Sequence, residues 1–410
     1  MSKRLRRELG FWDAVATGIA AMIGAGIFVV SGMGAKLAGP AVIVAFIIGG
    51  IVALLSAFSS AELAAAIPRE GATYEYARRL ISKRVGYITG WLFLSSKLLE
   101  SATVALAFGA YATIFFGFDP RILAISSVAA LTAINIAGIR ATTDASKILA
   151  LTKVAILASF AFMGAGAVKA TNFEPFAPTG IGGLLAAAGI TFFAYTGYAR
   201  IATMGEEVKN PRKTIPKAIL VSLAITAAIY ISVVTVGIGL IGAKEFSESA
   251  SPIASAASAL GIPALVALVG VGAAVATLSV VLGDLLVSSR MMFSMAREHD
   301  LPHFLSDLKH SNPENAILAS SAIVLALTLL GNMLQIAAFT SLTILIYYAV
   351  TNISSANLPE KKRILPKPFA IAGAASCLLL AASLPLEQWL WTGLLVALGL
   401  AYAAVKKRKS

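Results

Sequence analysis

The sequence predicts an all-α integral membrane protein, and three observations carry that prediction. Of its 410 residues, 58% are hydrophobic and only 13% charged, whereas a soluble domain is about half apolar and about a quarter charged. Its apolar residues gather into runs of roughly 20, the length that crosses a bilayer. Its Lys and Arg side chains cluster on alternate linkers between those runs. A mean hydropathy of +0.84 agrees: lipid is the solvent of this chain.

Twelve spans can be drawn, near 12–36, 40–66, 86–116, 122–139, 148–168, 181–204, 216–241, 263–295, 316–331, 334–355, 368–385 and 389–405. With the amino terminus placed in the cytoplasm, the inner linkers and both ends hold 26 Lys and Arg, and the outer linkers hold 4 (Lys36, Arg121, Lys169, Lys244). That split is a strong positive-inside signal, and it predicts a multi-pass protein of the cell membrane with both termini cytoplasmic. It also assigns the net charge of +13 to topology rather than to a nucleic-acid surface. The basic start "MSKRLRREL" leads into an apolar run too long for a signal-peptide core, so no cleavable leader is expected. The single cysteine, Cys377, excludes an internal disulfide framework. Only three histidines occur, His299, His303 and His310, all in one linker; no metal site or cofactor is expected in the membrane.

Each element then has its own reading. The first span, "ATGIAAMIGAGIFVVSG", carries "GAG" where a helix should be most continuous. Glycine is common in membrane helices as a close-packing residue. As a dinucleotide loop the motif fails, because no strand precedes it and no third glycine follows. After the second span, "AELAAAIPREGATYEYA" places Pro68 and Gly71 at a helix end, with Glu62 near the cytoplasmic end as an ion-path or a structural carboxylate. In the third span Lys97 and Glu100 stand at i and i+3 and can neutralise each other. In the fifth, Lys153 lies six residues from Lys147. It is either a functional intramembrane charge or a lysine whose stem snorkels to the surface. The linker "KEFSESASPIASAASALGIP" suits a short interfacial helix, "EEVKNPRKTIP" reads as a solvated, conformation-sensitive salt-bridge surface or a substrate vestibule, and the last two spans read as peripheral.

The sixth span repeats the anomaly of the first. "FAYTGY" interrupts it near the middle, five spans after "IGAGI" and running in the opposite direction. Paired broken helices in oppositely oriented halves point to a secondary transporter. Unwound backbone is tolerated in a membrane only where it is buried or lines a cavity. There its freed N–H and C=O groups can bind a ligand, and a half-helix N-terminus favours an anion.

Four stretches in order, "MIGAGIF", "AELAAAIPREGATYEYA", "FFAYTGYARIATMGEEVKNPRKTIPKAI" and "SRMMFSMAREHDLP", resemble the amino acid–polyamine–organocation family of transporters. The resemblance implies a leucine-transporter-like fold: a first five-helix repeat over 11–170, an inverted repeat over 181–356, and two further helices over 366–405. It implies that a substrate carboxylate meets the N–H groups of Ala25 and Gly26, within the stretch Met22, Ile23, Gly24, Ala25, Gly26, Ile27. The substrate ammonium then meets carbonyls near Met22, Phe193 and Thr196, with Ala194 and Gly197 completing the second break. Phe193 matches the aromatic that closes over substrate from outside. Many relatives have serine at Ala25 and an acid at Ala199, which here precedes Arg200. The missing acid lowers polyamines and arginine and favours neutral amino acids.

By the same resemblance Lys153 matches the lysine that replaces sodium in some proton-coupled relatives. Its ammonium then bonds a carbonyl near Ala20 and the hydroxyl of Ser279, and losing its proton loosens that bridge. Glu100 is a possible proton partner for Lys153, while Asp284 has no partner assigned beyond a guess at Arg200. The expected function is proton-coupled import of amino acids by alternating access, with protons, amino acid and the lipid bilayer as partners. An exchanger and a non-transporting amino acid sensor are the alternatives. No serine–histidine, paired-aspartate or histidine–metal arrangement lies within the spans, so no enzyme is expected.

Overall fold

The computed structural model describes residues 9–24, 26–67, 72–137, 143–203, 208–308 and 312–407. Ala25, Pro68, Gly71 and the acidic pair Glu206 and Glu207 lie outside them. The described residues are helical almost throughout. An isolated parallel bridge joins Leu9 to Val208.

The first apolar run is not one helix. Helix α1 (Phe11–Met22) stops at Ile23, whose backbone is extended. A π-helical turn over Gly26–Val30 then leads into α2 (Ser31–Ala38). After a turn at Gly39, α3 (Val42–Ala66) follows. The short α4 (Ala72–Leu80) precedes α5 (Lys83–Phe116), which Ser82 caps through its side chain and Gly117 ends in the left-handed region. Asp119 caps α6 (Pro120–Ile136), with Pro120 at the first helical position. Next come α7 (Thr143–Ala165) and α8 (Gly180–Phe192). A 3₁₀ segment over Phe193–Tyr198 separates α8 from the five-residue α9 (Ala199–Thr203).

The remaining helices are α10 (Pro211–Glu248), α11 (Pro252–Ser258), α12 (Pro263–Arg297) and α13 (Glu314–Leu330). They are followed by α14 (Met333–Ala356), α15 (Lys367–Ala382) and α16 (Leu386–Lys407). Eight helices among the described residues are long and apolar enough to cross a membrane, and four apolar ones are shorter. The shorter ones include α1, cut at its break, and α6, α13 and α15, at 16 or 17 residues. Seventeen residues rise about 25 Å, close to the hydrocarbon thickness of about 30 Å. The chain is a multi-pass membrane protein.

Burial follows from that solvent. Large apolar side chains point outward, Phe162 and Leu330 each with 87% of their surface exposed, as lipid-facing positions require. The polar side chains lie inside instead, and α16 is largely exposed. The short helix expected in the linker before the eighth span is formed, as α11. Pro252, Ile253, Ala254, Ala256 and Ala257 are buried, and Pro252 packs so closely on Gly32 that a Cβ there would stand 2.7 Å from the proline ring. Its apolar face packs on the bundle.

Two of the motif stretches meet in a latch outside the spans. The Tyr74 hydroxyl donates to Asp300 at 2.7 Å and accepts from Arg78 at 2.7 Å, while Arg78 pairs with Glu298 at 3.4 Å. Burial, reinforced by Asp300, holds the Tyr74 phenol well above its ordinary value, so it remains a donor at physiological pH. Glu62 is a second clamp. It accepts from the N–H groups of Ile364 and Leu365 and from the Ser355 hydroxyl, tying the end of α3 to the segment before α15.

Candidate functional site

The two breaks face each other and nearly touch. A Cβ built on Gly26 would lie 2.5 Å from both Cα and Cβ of Ala194. One built on Gly197 would lie 2.4 Å from the Ala21 carbonyl carbon and 2.5 Å from the Met22 nitrogen. These glycines are therefore required by close backbone approach, which only a residue without a side chain permits. The glycines of "GAG" and "TGY" thus bring the break of the first span against the 3₁₀ segment of the sixth.

Between the breaks lies a cavity with room for about one water molecule. Met22, Gly24, Gly26, Phe193, Ala194, Thr196 and Gly197, all expected from the sequence, line it. Ile23 and Ile27 are buried beside it, and Ala25 lies outside the described residues. Four further residues complete the wall: Ala21, Val104, Val280 and Glu100.

The carbonyls freed at the breaks are already partnered. The Tyr230 hydroxyl donates to Met22 O at 2.7 Å and lies 3.2 Å from Ala194 O, so one α10 side chain joins both breaks. Thr196 donates to Phe193 O at 2.9 Å, and Tyr348 reaches Thr196 O at 3.4 Å. Tyr111 donates to Phe28 O at 2.8 Å in the π-helical turn. A carbonyl has two lone pairs, so each of these oxygens can accept once more. Sequence reasoning missed Tyr230, Tyr348 and Tyr111. Their only signal was a tyrosine inside an apolar span, where a buried hydroxyl needs a partner.

Lys153 is 1% exposed. Its ammonium donates to Ala20 O at 2.9 Å and to Ser279 Oγ at 2.8 Å, and Ser279 in turn donates to Ala276 O. The lysine thus joins α7 to α1, two residues before the break, and to α12. Its stem does not run to the surface, so the snorkelling geometry is not the one adopted.

The expected pair of Lys97 with Glu100 is formed, at 2.5 Å. Glu100 also lines the cavity, and Lys153 bonds Ala20 and Ser279 rather than this carboxylate. Asp284 is bonded not by Arg200 but by Lys97, at 3.3 Å. Arg200 is exposed, with its guanidinium beside Gly283. The pairing of α5 with α12 sets the contact of Lys97 with Asp284, and a one-helix period does not report it.

These features define a helical membrane protein with two facing helix breaks whose carbonyls are bonded by buried side chains. The sequence profile of the amino acid permease family matches residues 13–408, and the chain belongs to that family, within the amino acid–polyamine–organocation superfamily. The uncharacterized transporter Rv1999c of Mycobacterium tuberculosis is 35% identical, over 98% of this chain and 92% of its own length. The methylthioribose transporter of Bacillus subtilis is 30% identical, over 97% of this chain and 93% of its own. The branched-chain amino acid permease BcaP of the same organism is 28% identical, over 90% and 85%.

Proposed function

We propose that the protein imports neutral amino acids by proton-coupled symport. Membership of the amino acid permease family supports amino acid transport, and one geometric observation supports the coupling: the buried ammonium of Lys153 ties Ala20 O to Ser279 Oγ. Protonated, the lysine holds α1, α7 and α12 together just below the first break. Deprotonated, it loses the charge that strengthens both hydrogen bonds, and α1 is freer to move. Proton release and opening of the site then become one event.

In this reading the bundle is a twelve-helix, leucine-transporter-like fold with inverted repeats over 11–170 and 181–356 and two added helices over 366–405. Both termini face the cytoplasm of a cell whose plasma membrane holds the protein. The substrate carboxylate lies on the N–H groups at Ala25 and Gly26, its ammonium on the carbonyls of Met22, Phe193 and Thr196, and Phe193 closes the outer side. The neutral class follows from Ala199. The names of relatives, which include a methylthioribose transporter and a branched-chain amino acid permease, set the ligand panel.

Proteoliposome uptake tests this reading. Accumulation of a neutral amino acid should follow an imposed inward proton gradient and be indifferent to sodium. Counterflow exchange without gradient-driven accumulation would replace the symporter with an exchanger. Dependence on sodium would contradict the assignment of Lys153 outright.

A further inference from the structure

A second cavity, of about 600 Å³, lies at the junction of α14 and α15 and shares no residue with the one between the breaks. That volume is within the range of small-ligand sites, about 300–1,000 Å³. Its wall runs from Ala356, the last residue of α14, to Lys367, the first of α15. Three charged side chains line it: Glu360, Arg363 and Lys367. Lys361 and Lys362 stand exposed on the adjoining 3₁₀ turn, Glu360–Lys362.

Arg363 gives the wall its shape. Its Nε donates to Leu358 O at 3.1 Å, and its Nη2 donates to Ser355 O and Ala356 O at 3.0 and 2.6 Å. The guanidinium thereby satisfies carbonyls left free at the C-terminus of α14, where the helix dipole also favours a cation. Those acceptors are neutral, so they leave the charge uncancelled. Nη1 is buried and meets no acceptor among the described residues. Glu62, the acid behind this segment, gives its carboxylate to the N–H groups of Ile364 and Leu365 and to the Ser355 hydroxyl. Two cations against one acid leave the lining net positive. The N-terminus of α15 adds to this: it opens on the cavity at Pro366 and Lys367, and no side chain caps it. Its first N–H groups and its dipole favour an anion.

Beside the cavity, Ile364, Phe369 and Ile371 are exposed apolar side chains, the surface of a chain that meets lipid. Basic pockets at a membrane surface recognise anionic headgroups. We propose that this cavity binds the phosphodiester headgroup of an anionic phospholipid, held by Arg363 and Lys367, with the acyl chains along Ile364, Phe369 and Ile371. A phosphate oxygen supplies the acceptor that the guanidinium lacks. The single charge of a phosphodiester matches the one net charge of the lining, whereas a zwitterionic choline lipid brings no net charge to match it.

Lipid titrations of the purified full-length protein in detergent test this, read by native mass spectrometry and by melting temperature. Dioleoylphosphatidylglycerol should be retained as one tightly held copy and should raise the melting temperature; dioleoylphosphatidylcholine should do neither. Lys367→Gln should weaken phosphatidylglycerol binding by about fivefold, the effect of one basic residue facing an anionic surface. Arg363→Gln should abolish it. That variant also loses three bonds to the end of α14, and Lys367→Gln, which touches none of them, serves if Arg363→Gln does not fold. Lys83→Gln, at an exposed lysine outside the cavity, should bind as the parent does. Inorganic phosphate at the same concentration should leave the melting temperature unchanged, since it has no acyl chains. Equal retention of the two lipids, parent affinity in Lys367→Gln, or an equal loss in Lys83→Gln would each overturn the site. Stabilisation by inorganic phosphate to the same extent would overturn the lipid in favour of a soluble anion.

Discussion

The hydroxyl of Tyr230 donates to the carbonyl of Met22 at 2.7 Å, and its oxygen lies 3.2 Å from the carbonyl of Ala194. Breaking a helix inside a membrane frees carbonyls that no water can satisfy, and here one phenol answers for both breaks. Tyr230→Phe removes that donor while keeping the ring. It should cost about 1–3 kcal/mol, the penalty for a buried acceptor left unpaired. A lowered melting temperature together with weakened substrate binding is the expected result. Unchanged binding would mean that the breaks hold their shape without it.

The contact of Gly26 with Ala194 changes how a bulky replacement must be read. Gly26→Val would abolish binding by driving into Ala194 rather than by shielding an N–H group, and overpacking of this kind costs about 1–3 kcal/mol. Gly197→Ala should behave alike, since its Cβ meets the backbone of Ala21 and Met22. The carboxylate contact is better tested from the ligand side. An amino acid amide should bind the parent far more weakly than the acid, and equal affinity would remove the carboxylate from the breaks.

Glu62 separates a structural carboxylate from an ion-path one. It accepts three hydrogen bonds from Ser355, Ile364 and Leu365, and bonds to a charged group contribute about 1.5–3 kcal/mol each. Glu62→Ala should therefore lower thermal stability and leave the proton dependence of uptake as it is. A loss of proton coupling in a protein of unchanged stability would move Glu62 into the ion path.

The charge split makes a topological prediction. In a Cys377→Ala background, a cysteine at exposed Lys244 should react with an impermeant maleimide added outside intact cells. A cysteine at exposed Lys361 should react only after permeabilisation. Labelling of Lys361 from outside would reverse the orientation.

Much of this was legible because it is local. The breaks at Ile23 and at Phe193–Tyr198 lie where glycine, aromatic and hydroxyl residues interrupt otherwise continuous runs. The Lys97–Glu100 pair follows from helical spacing alone. The Lys153 contacts with Ala20 and Ser279 were named through resemblance, since no period in the sequence relates three helices. What was missed lies between helices. That Lys97 also reaches Asp284, that Tyr230 and Tyr348 answer the carbonyls of the breaks, and that α11 tucks against Gly32 all depend on rotation and offset of packed helices. Lipid-facing and core-facing positions are both apolar here, so the pattern that orients a soluble helix says little about which face turns inward.

Proton coupling turns on Lys153. The parent and Lys153→Ala are reconstituted side by side, and uptake of a radiolabelled neutral amino acid is followed with and without an inward proton gradient. The parent should concentrate the amino acid above its external level only when the gradient is present. Lys153→Ala should bind the same amino acid yet equilibrate it without concentrating it, at any pH. If Lys153→Ala concentrates substrate under the gradient as the parent does, the bridge from Lys153 to Ala20 and Ser279 is a strut, and the proton travels by another route.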